Sequence, residues 1–223
     1  MISLFPASLN YEDFLAKSGI SAGDETEAEA REIYDAVARV GRPKSAYRIF
    51  DTVSDDGGAF IGGRRFDSRV LGRNLRGVKR VVAFVCTCGT EVDEADLVKG
   101  DSLREWWVDV LKTQLLLNAR VDLLHETDRL IEGETFAVMS PGSGDRDIWP
   151  IEQQRELFGL FEGEEREIGV ELLPTCLMTP NKTVSGIRYN SAHGFKTCQV
   201  CHRENCPNRR ATFDAAVYEA AHG

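Results

Sequence analysis

The sequence predicts an α+β fold, and three patterns support this class. The strongly apolar residues over Arg80–Thr87 predict a strand at the centre of a sheet. Apolar residues at helical spacing over 102–131 predict one long helix. The predicted helices and strands do not alternate in the way that a doubly wound fold requires. We therefore predict one α+β domain over residues 1–190, followed by a short cysteine-rich tail with a short helix over residues 191–223.

The N-terminal part of the chain predicts two helices. Asn10 is a favourable N-cap for a short helix over Tyr11–Ser18. Asp24 and Glu27 form a capping-box pattern that begins a second helix, and its apolar stripe extends to about Val40.

Strands and turns are predicted in the next part of the chain. Residues Ser45–Thr52 predict a strand, and Ala59–Phe66 predict a second one. The sequence DDGG at 55–58 lies between them. Its glycines match neither of the phosphate-binding patterns GxGxxG and GxxxxGK[ST], so they indicate a turn.

The second half of the chain predicts the longest helix and several shorter elements. Ser102 and Glu105 form a capping box at the start of this helix, which extends to about Ile131. Its stripe favours core packing, with a dimer seam as the alternative, and it follows Leu103, Trp107, Val110, Gln114, Leu117, Val121, Leu124, Asp128 and Ile131. The other predicted elements are strands over Glu134–Met139, Gly169–Leu173 and Thr183–Tyr189, and helices over Pro150–Phe161 and Thr212–Ala221.

The charge balance limits the classes of partner. The chain has 27 Lys and Arg residues against 36 Asp and Glu residues, and its formal net charge of −9 argues against nucleic acid as the main partner. Basic residues between Arg64 and Arg80 fit either the solvated face of a short helix or a docking patch for an acidic partner. No apolar run reaches the roughly 20 residues that a membrane span needs, and the N-terminus lacks the features of a secretory signal. We therefore expect a cytoplasmic protein.

The predicted tail contains three cysteines within nine residues, namely Cys198, Cys201 and Cys206. In a reducing compartment, cysteines at close spacing are more often metal ligands or redox groups than disulfides. Thiolates at this spacing suit zinc or an iron–sulfur cluster, with Cys176 as the first candidate for a fourth ligand. The alternative zinc ligands are His193 and His202. A redox dithiol and inert thiols are the other interpretations of this cluster.

Two further patterns are weaker. Cys86 and Cys88 lie at the end of the predicted central strand, where alternate residues share one face, so they are either buried small side chains or part of a site. Residues Ser140–Asp145 follow a predicted strand and contain two glycines. Backbone N–H groups in such a segment can bind a carboxylate or phosphate, although a plain turn explains the same residues.

Four segments in the second half of the chain together form a recognisable pattern. They are FAVMSPG at 136–142, WPIEQQ at 149–154, IGVEL at 168–172 and MTPNKTVSGI at 178–187. These segments resemble the activation domain of vitamin B12-dependent methionine synthase. The residues that match the motifs of this family, at similar separations, are Pro141, Gly142, Met178, Pro180, Val184, Ser185 and Gly186. The similarity covers roughly residues 80–190.

This resemblance implies a twisted antiparallel sheet flanked by helices, and it implies S-adenosylmethionine as the ligand. It also implies cobalamin, carried by a cobalamin-binding methyltransferase or another corrinoid protein, as the group that is reduced and remethylated. The residues expected near these two cofactors are Ser140, Pro141, Gly142, Ser143, Met178, Pro180, Ser185 and Gly186. An electron-donor protein is a further expected partner, and a redox-active cluster on the tail cysteines would suit electron delivery to cobalt.

Three positions depart from the pattern of the family. Val138 stands where the family has an arginine, and Ser143 stands where it has a tyrosine; both of those side chains contact S-adenosylmethionine in the family. Asn118 falls near a helical glutamate of the family that pairs with the ligand. The two leading hypotheses are therefore a free-standing activation subunit that uses backbone contacts at Ser140–Gly142, and a non-enzymatic module that docks on corrinoid proteins without binding S-adenosylmethionine. A third hypothesis is a small structural protein stabilised by zinc.

Overall fold

The computed structural model describes residues 1–21 and 23–222. The strands are β1 (Ile2–Leu4), β2 (Lys44–Asp55), β3 (Gly58–Ile61), β4 (Arg64–Asp67), β5 (Arg80–Thr87), β6 (Phe136–Met139), β7 (Glu171–Leu172), β8 (Met178–Thr179) and β9 (Thr183–Asn190). Seven of them form one sheet in the order β4-β3-β2-β5-β9-β6, with β1 paired to β2, and β7 and β8 form a separate ribbon. Every pairing is antiparallel, which confirms the predicted α+β class.

The helices surround this sheet. They are α1 (Tyr11–Ser18), α2 (Glu27–Val40), α3 (Arg69–Asn74), α4 (Glu91–Glu94), α5 (Ser102–Thr127), α6 (Gln154–Gly159), α7 (Glu164–Glu167) and α8 (Ala215–His222), with 3-10 turns at Ile151–Gln153 and Thr197–Val200. None of the helices in residues 1–21 and 23–222 is long and apolar enough to cross a membrane.

The central strand β5 separates two hydrophobic cores. Its side chains alternate between the two faces of the sheet, as the period of a strand requires. The side chains of β5 in the core beneath α1, α2 and α5, which we call the helical core, are Val82, Phe84 and Cys86. Those in the core on the other face, which we call the opposite core, are Val81, Ala83 and Val85. The burial of β5 on both faces confirms that it lies in the centre of the sheet.

Local signals predicted several boundaries correctly. The helix α1 has the predicted bounds, and the Asn10 side chain accepts a hydrogen bond from the Asp13 amide at 2.8 Å.

The predicted strand over Ala59–Phe66 is wrong, because the chain turns at Gly62 and Gly63 with φ values of 55° and 81° and forms the β3–β4 hairpin instead. Only glycine adopts two successive positive φ values at little cost.

The long helix differs from its prediction at both ends. Its N-cap is Asp101 rather than Ser102, because the Asp101 carboxylate accepts hydrogen bonds from the first free backbone amides. It ends at Thr127 rather than about Ile131, where Arg188 donates to the Thr127 hydroxyl and also pairs with Asp128.

The predicted apolar stripe of α5 is only partly buried. Trp107 is fully buried, whereas Leu117 and Val121 are 43% and 51% exposed. The buried face is rotated relative to the prediction and follows Trp107, Leu111, Leu115 and Ala119. Sequence spacing alone did not distinguish these two apolar faces of one helix.

The shorter elements of the second half also differ from their predictions. The helix predicted over Pro150–Phe161 is a 3-10 turn followed by the six residues of α6. The strand predicted over Gly169–Leu173 is reduced to the two residues of β7, because Gly169 has a φ of 76° and cannot begin a strand. The elements β1, α4, α7 and β8 are short, and no sequence pattern predicted them.

The tail contributes side chains to the opposite core. They are Phe195, Val200, Cys201 and Ala221, and all four are buried. The tail therefore packs on the same core as the sheet, although residues 197–210 contain few apolar side chains.

Candidate functional site

The turn that follows β6 is held by backbone contacts. The Gly142 amide donates to the Trp149 carbonyl at 2.8 Å, and the Ser143 amide donates to the Ser140 carbonyl at 3.1 Å. Gly142 has a φ of 77°, and a Cβ there would lie 2.9–3.1 Å from side-chain atoms of Ile151. Both its positive φ and this close packing require glycine at position 142.

A second glycine allows this turn to lie against the sheet. Gly186 is in the middle of β9, opposite Phe84 of β5. A Cβ at Gly186 would lie 2.4 Å from the Met139 carbonyl oxygen and 2.6 Å from the Ser140 hydroxyl. The end of β6 and the Ser140 hydroxyl therefore lie directly over Gly186. We call the Ser140–Gly142 turn together with Gly186 the turn site.

The turn site faces the long helix. The neighbouring side chains Val138 and Val184 pack against the helical core, and Gly186 lies on the same face as Val184 because alternate residues of a strand share one face. The Ser140 hydroxyl lies where a side chain of Gly186 would be, so it also points towards the helical side of the sheet.

The helix α5 is fastened to both ends of β9. Near the start of β9, the Lys182 ammonium lies 2.9 Å from the Asp109 carboxylate. Near its end, the Arg188 guanidinium donates to the Thr127 hydroxyl at 2.9 Å. The face of α5 between Asp109 and Thr127 therefore lies along β9 and towards the turn site.

Arg188 is fully engaged in structural contacts. It is the cross-strand partner of Val138, and its side chain is only 5% exposed. Besides Thr127, it pairs with Asp128 and lies over the Phe136 ring at 4.0 Å from the ring centre. It therefore has little capacity to replace an arginine at position 138.

Three other predicted site residues lie on the opposite face of the sheet. The Ser185 hydroxyl donates to the Gln154 side chain at 3.0 Å, and Gln154 in turn donates to the Met178 sulfur at 3.6 Å. The carbonyl of buried Pro180 accepts a hydrogen bond from the Thr183 hydroxyl at 2.8 Å. Met178 packs against the opposite core. The structure therefore brings Ser140, Pro141, Gly142 and Gly186 together, and separates them from Ser185, Met178 and Pro180.

Asn118 does not face the turn site. Its side-chain amide donates to the Ser8 carbonyl at 2.7 Å, on the side of α5 that carries the N-terminal segment. Asn118 falls near the helical glutamate of the family in the sequence, but this position did not predict that its side chain contacts the N-terminal segment.

An arginine organises the segment that carries the tail cysteines. We call residues 197–211 the cysteine loop. The Arg209 guanidinium donates at 2.7–3.2 Å to four backbone carbonyls of this loop, those of Cys198, Cys201, Arg203 and Ala211. Planar guanidinium groups suit such multiple contacts. The loop therefore has an organiser other than a metal ion.

The cysteine loop is fastened to the segment that follows the turn site. The Asp145 carboxylate accepts from the His202 amide at 2.8 Å, contacts the His202 ring nitrogen at 2.9 Å, and lies 3.6 Å from the Cys201 sulfur. Burial raises the pKa of Asp145, but the hydrogen bonds from His202 and Cys201 outweigh burial and hold it below its ordinary value. Asp145 is three residues beyond Gly142, so the loop and the turn site are structurally connected.

The geometry of the tail cysteines does not form a ligand set. Within residues 1–21 and 23–222, no three His, Cys, Asp or Glu side chains converge in a way that could hold a metal ion. The Cys198 sulfur accepts from the Arg210 amide at 3.4 Å, and Cys176 is buried between β7 and β8 with a φ of 65°. Metal binding by Cys176, Cys198, Cys201 and Cys206 stays a prediction.

The pair Cys86 and Cys88 is buried in the helical core. Burial raises the pKa of Cys86 to about 12 and that of Cys88 to about 11, so both thiols are protonated at neutral pH. A protonated, buried thiol is a poor nucleophile and metal ligand. The interpretation of these residues as small buried side chains is supported.

Three cavities lie apart from the turn site. One of about 700 Å³ lies beside Phe158 and Glu165, one of about 450 Å³ beside Arg80 and Asn190, and one of about 510 Å³ beside Arg73. Charged side chains line a large part of each cavity. Most ligand pockets are instead lined mainly by apolar side chains. We therefore base the candidate site on the turn.

Comparison with known proteins identifies the class of fold. No protein-family model matches the chain, and no curated protein matches it. The chain is similar to a solved structure described as the crystal structure of the MetH reactivation domain bound to AdoHcy. The TM-score is 0.57 and the sequence identity is 16%, and the match covers 86% of this chain and 78% of that one. The chain therefore has a fold like that of the MetH reactivation domain, as the resemblance of its motifs predicted.

The network around Arg209 gives a testable expectation. Replacing Arg209 by lysine should speed amide hydrogen exchange across the cysteine loop, because one ammonium group cannot contact four carbonyls at once. Loss of hydrogen bonds to a charged group costs about 1.5–3 kcal/mol, which corresponds to roughly ten- to a hundredfold faster exchange. Hydrogen exchange measured by mass spectrometry checks this. Arg203→Lys is the matched control, since only the carbonyl of Arg203 enters the network; equal exchange in the two variants would contradict the expectation.

Proposed function

We propose that this protein is a free-standing reactivation subunit for a cobalamin-dependent methyltransferase. In this proposal it binds S-adenosylmethionine, or its product AdoHcy, at the turn site. A partner protein supplies the cobalamin, which is reduced and then receives the methyl group of S-adenosylmethionine. The observation that carries the proposal is the turn site itself: the end of β6 lies over Gly186 on the helical side, in a chain whose fold is like that of a domain bound to AdoHcy.

The chemistry of the turn site supports binding of a polar ligand. Ser140 supplies a hydroxyl, and the turn is fixed by the contacts of Gly142 with Trp149 and Ile151. A preformed turn binds a ligand without first losing conformational entropy. Because the side chains at positions 138 and 143 cannot supply a guanidinium or a phenol, the turn backbone and groups from α5 must supply the contacts.

The ribbon of β7 and β8 supports docking of the partner. Leu173 and Leu177 face each other at its end, where the Leu173 amide donates to the Leu177 carbonyl at 2.8 Å. They are 40% and 60% exposed. Exposed apolar side chains that lie together are typical of protein interaction surfaces. We propose that the corrinoid protein covers this loop, with Met178 and Pro180 close to the contact.

Calorimetric titration of the purified protein with AdoHcy tests ligand binding. Turnover is then tested with a cobalamin-loaded partner in the cob(II)alamin state, a reductant and S-adenosylmethionine labelled in its methyl group. The proposal expects saturable binding and transfer of label to cobalt that depends on this protein. Absence of both across several corrinoid proteins would contradict it.

The second candidate function is a docking module that does not bind S-adenosylmethionine. Val138 and Ser143 favour it, because they replace the two ligand-contacting side chains of the family, and Arg188 is already paired. This candidate expects a change in the corrin spectrum on mixing with the partner, but no heat on titration with AdoHcy. The same two measurements therefore distinguish the two candidates.

A further inference from the structure

An arginine of α5 lies on the face that points towards the turn site. Arg120 is eleven residues beyond Asp109 and seven residues before Thr127, and both spacings return to the same side of an α-helix. Asp109 and Thr127 contact Lys182 and Arg188 at the two ends of β9. Arg120 therefore lies over the middle of β9, where Gly186 and the end of β6 are found.

Arg120 has an unusual electrostatic environment. In residues 1–21 and 23–222, no carboxylate lies within 4.0 Å of its guanidinium, although the whole chain carries a net charge of −9. Its side chain is neither buried completely nor exposed. Burial and the nearby Arg210 both lower the pKa of Arg120, and the Cys86 thiol is its other electrostatic neighbour. A partly buried charge without a counter-ion is costly, and such groups are normally paired.

The tail adds a second positive charge beside it. Arg210 belongs to the cysteine loop, and its amide donates to the Cys198 sulfur. The loop is in turn fastened to Asp145 beyond the turn site. The two guanidinium groups come from different elements, and Arg210 is near enough to lower the pKa of Arg120, so an anion between them would relieve their repulsion.

We infer that Arg120 binds the carboxylate of the S-adenosyl ligand from α5, in place of a side chain on β6. The inference rests on the proposed function, and it assigns to a helix the contact that Val138 cannot make. Arg120 is oriented by the contacts of α5 with β9, and it requires no rearrangement of Arg188. Arg210 closes the same anion site from the cysteine loop, so the tail takes part in ligand binding.

Two ligands that differ in the carboxylate test this assignment. AdoHcy carries an amino acid group, whereas 5′-methylthioadenosine has the same nucleoside thioether without it. The wild-type protein should bind AdoHcy roughly ten- to a hundredfold more tightly than 5′-methylthioadenosine. Arg120→Met should lose most of this preference and leave the affinity for 5′-methylthioadenosine nearly unchanged. Arg104→Met is the matched control, because Arg104 is on α5 but pairs with Glu29.

A thermal unfolding measurement separates a binding role from a structural one. Without ligand, Arg120→Met should have an unchanged or higher Tm, since it removes an unpaired charge from a partly buried position. If Arg120→Met keeps the full preference for AdoHcy, the inference is overturned while the proposed function stands. If the wild-type protein binds neither ligand, the proposed function is overturned and the inference with it.

Discussion

Replacing Gly186 by alanine should weaken AdoHcy binding and destabilise the fold. The new Cβ would lie 2.4 Å from the Met139 carbonyl oxygen and 2.6 Å from the Ser140 hydroxyl, so the end of β6 must move. Overpacking of this kind costs about 1–3 kcal/mol of unfolding free energy. Because the turn moves with β6, we expect AdoHcy affinity to fall roughly tenfold or more, as measured by calorimetry.

Gly58→Ala is the matched control for this variant. Gly58 is also a strand glycine, and a Cβ there would lie 2.0 Å from the Phe66 carbonyl oxygen, in the β3–β4 hairpin at the other end of the sheet. Both variants should lower the midpoint of urea unfolding. Only Gly186→Ala should lose ligand affinity at a temperature where both remain folded. Equal affinities in the two variants would show that the turn site does not contact the ligand.

Adjacent residues of β9 show what the sequence could and could not predict. The Val-Ser-Gly segment was correctly predicted to lie in a strand. Its residues Ser185 and Gly186 were grouped in one site, but consecutive side chains of a strand point to opposite faces. Ser185 contacts Gln154 in the opposite core, whereas Gly186 lies under Ser140 on the helical side. The two-residue period of a strand could have assigned Ser185 and Gly186 to opposite faces of the sheet.

Other features depend on contacts that leave no pattern in the sequence. Residues 197–210 contain Val200 as their only large aliphatic side chain, so the sequence suggested a metal ion as the organiser of this segment. Metal binding stays a prediction, but the structure shows a second organiser, Arg209, which the sequence did not reveal because its partners are backbone carbonyls. In the same way, the helical pattern located Arg120 on α5 but did not show that it lacks a carboxylate partner. That property depends on residues far away in the sequence, so only the fold reveals it.

Local signals succeeded where local energetics decide the structure. Asn10 caps α1 as predicted, because its partner is only three residues away. The end of α5 was predicted too late, because Arg188, which is more than sixty positions beyond it, contacts Thr127 and Asp128 there. Tertiary contacts of this kind override local preference at helix ends.

Replacing Trp149 by alanine should strongly destabilise the fold. Trp149 is fully buried, and its ring packs edge-on against Phe66 with 5.9 Å between ring centres. Its indole N–H donates to the Gln153 side chain at 3.0 Å, and its carbonyl accepts from Gly142. Removing a buried tryptophan side chain costs about 3–5 kcal/mol, because the lost contacts leave a cavity. Urea unfolding followed by circular dichroism measures this change.

Trp107→Ala distinguishes loss of the core from loss of the turn. Trp107 is equally buried but belongs to the helical core near the start of α5, so its loss should cost a similar amount. We expect the Gly142 amide to exchange faster in Trp149→Ala than in Trp107→Ala at matched global stability, since the packed Trp149 side chain holds in place the backbone carbonyl that accepts from Gly142. Native-state hydrogen exchange measures this difference. Identical protection of Gly142 in both variants would mean that the turn site is fixed by something other than Trp149.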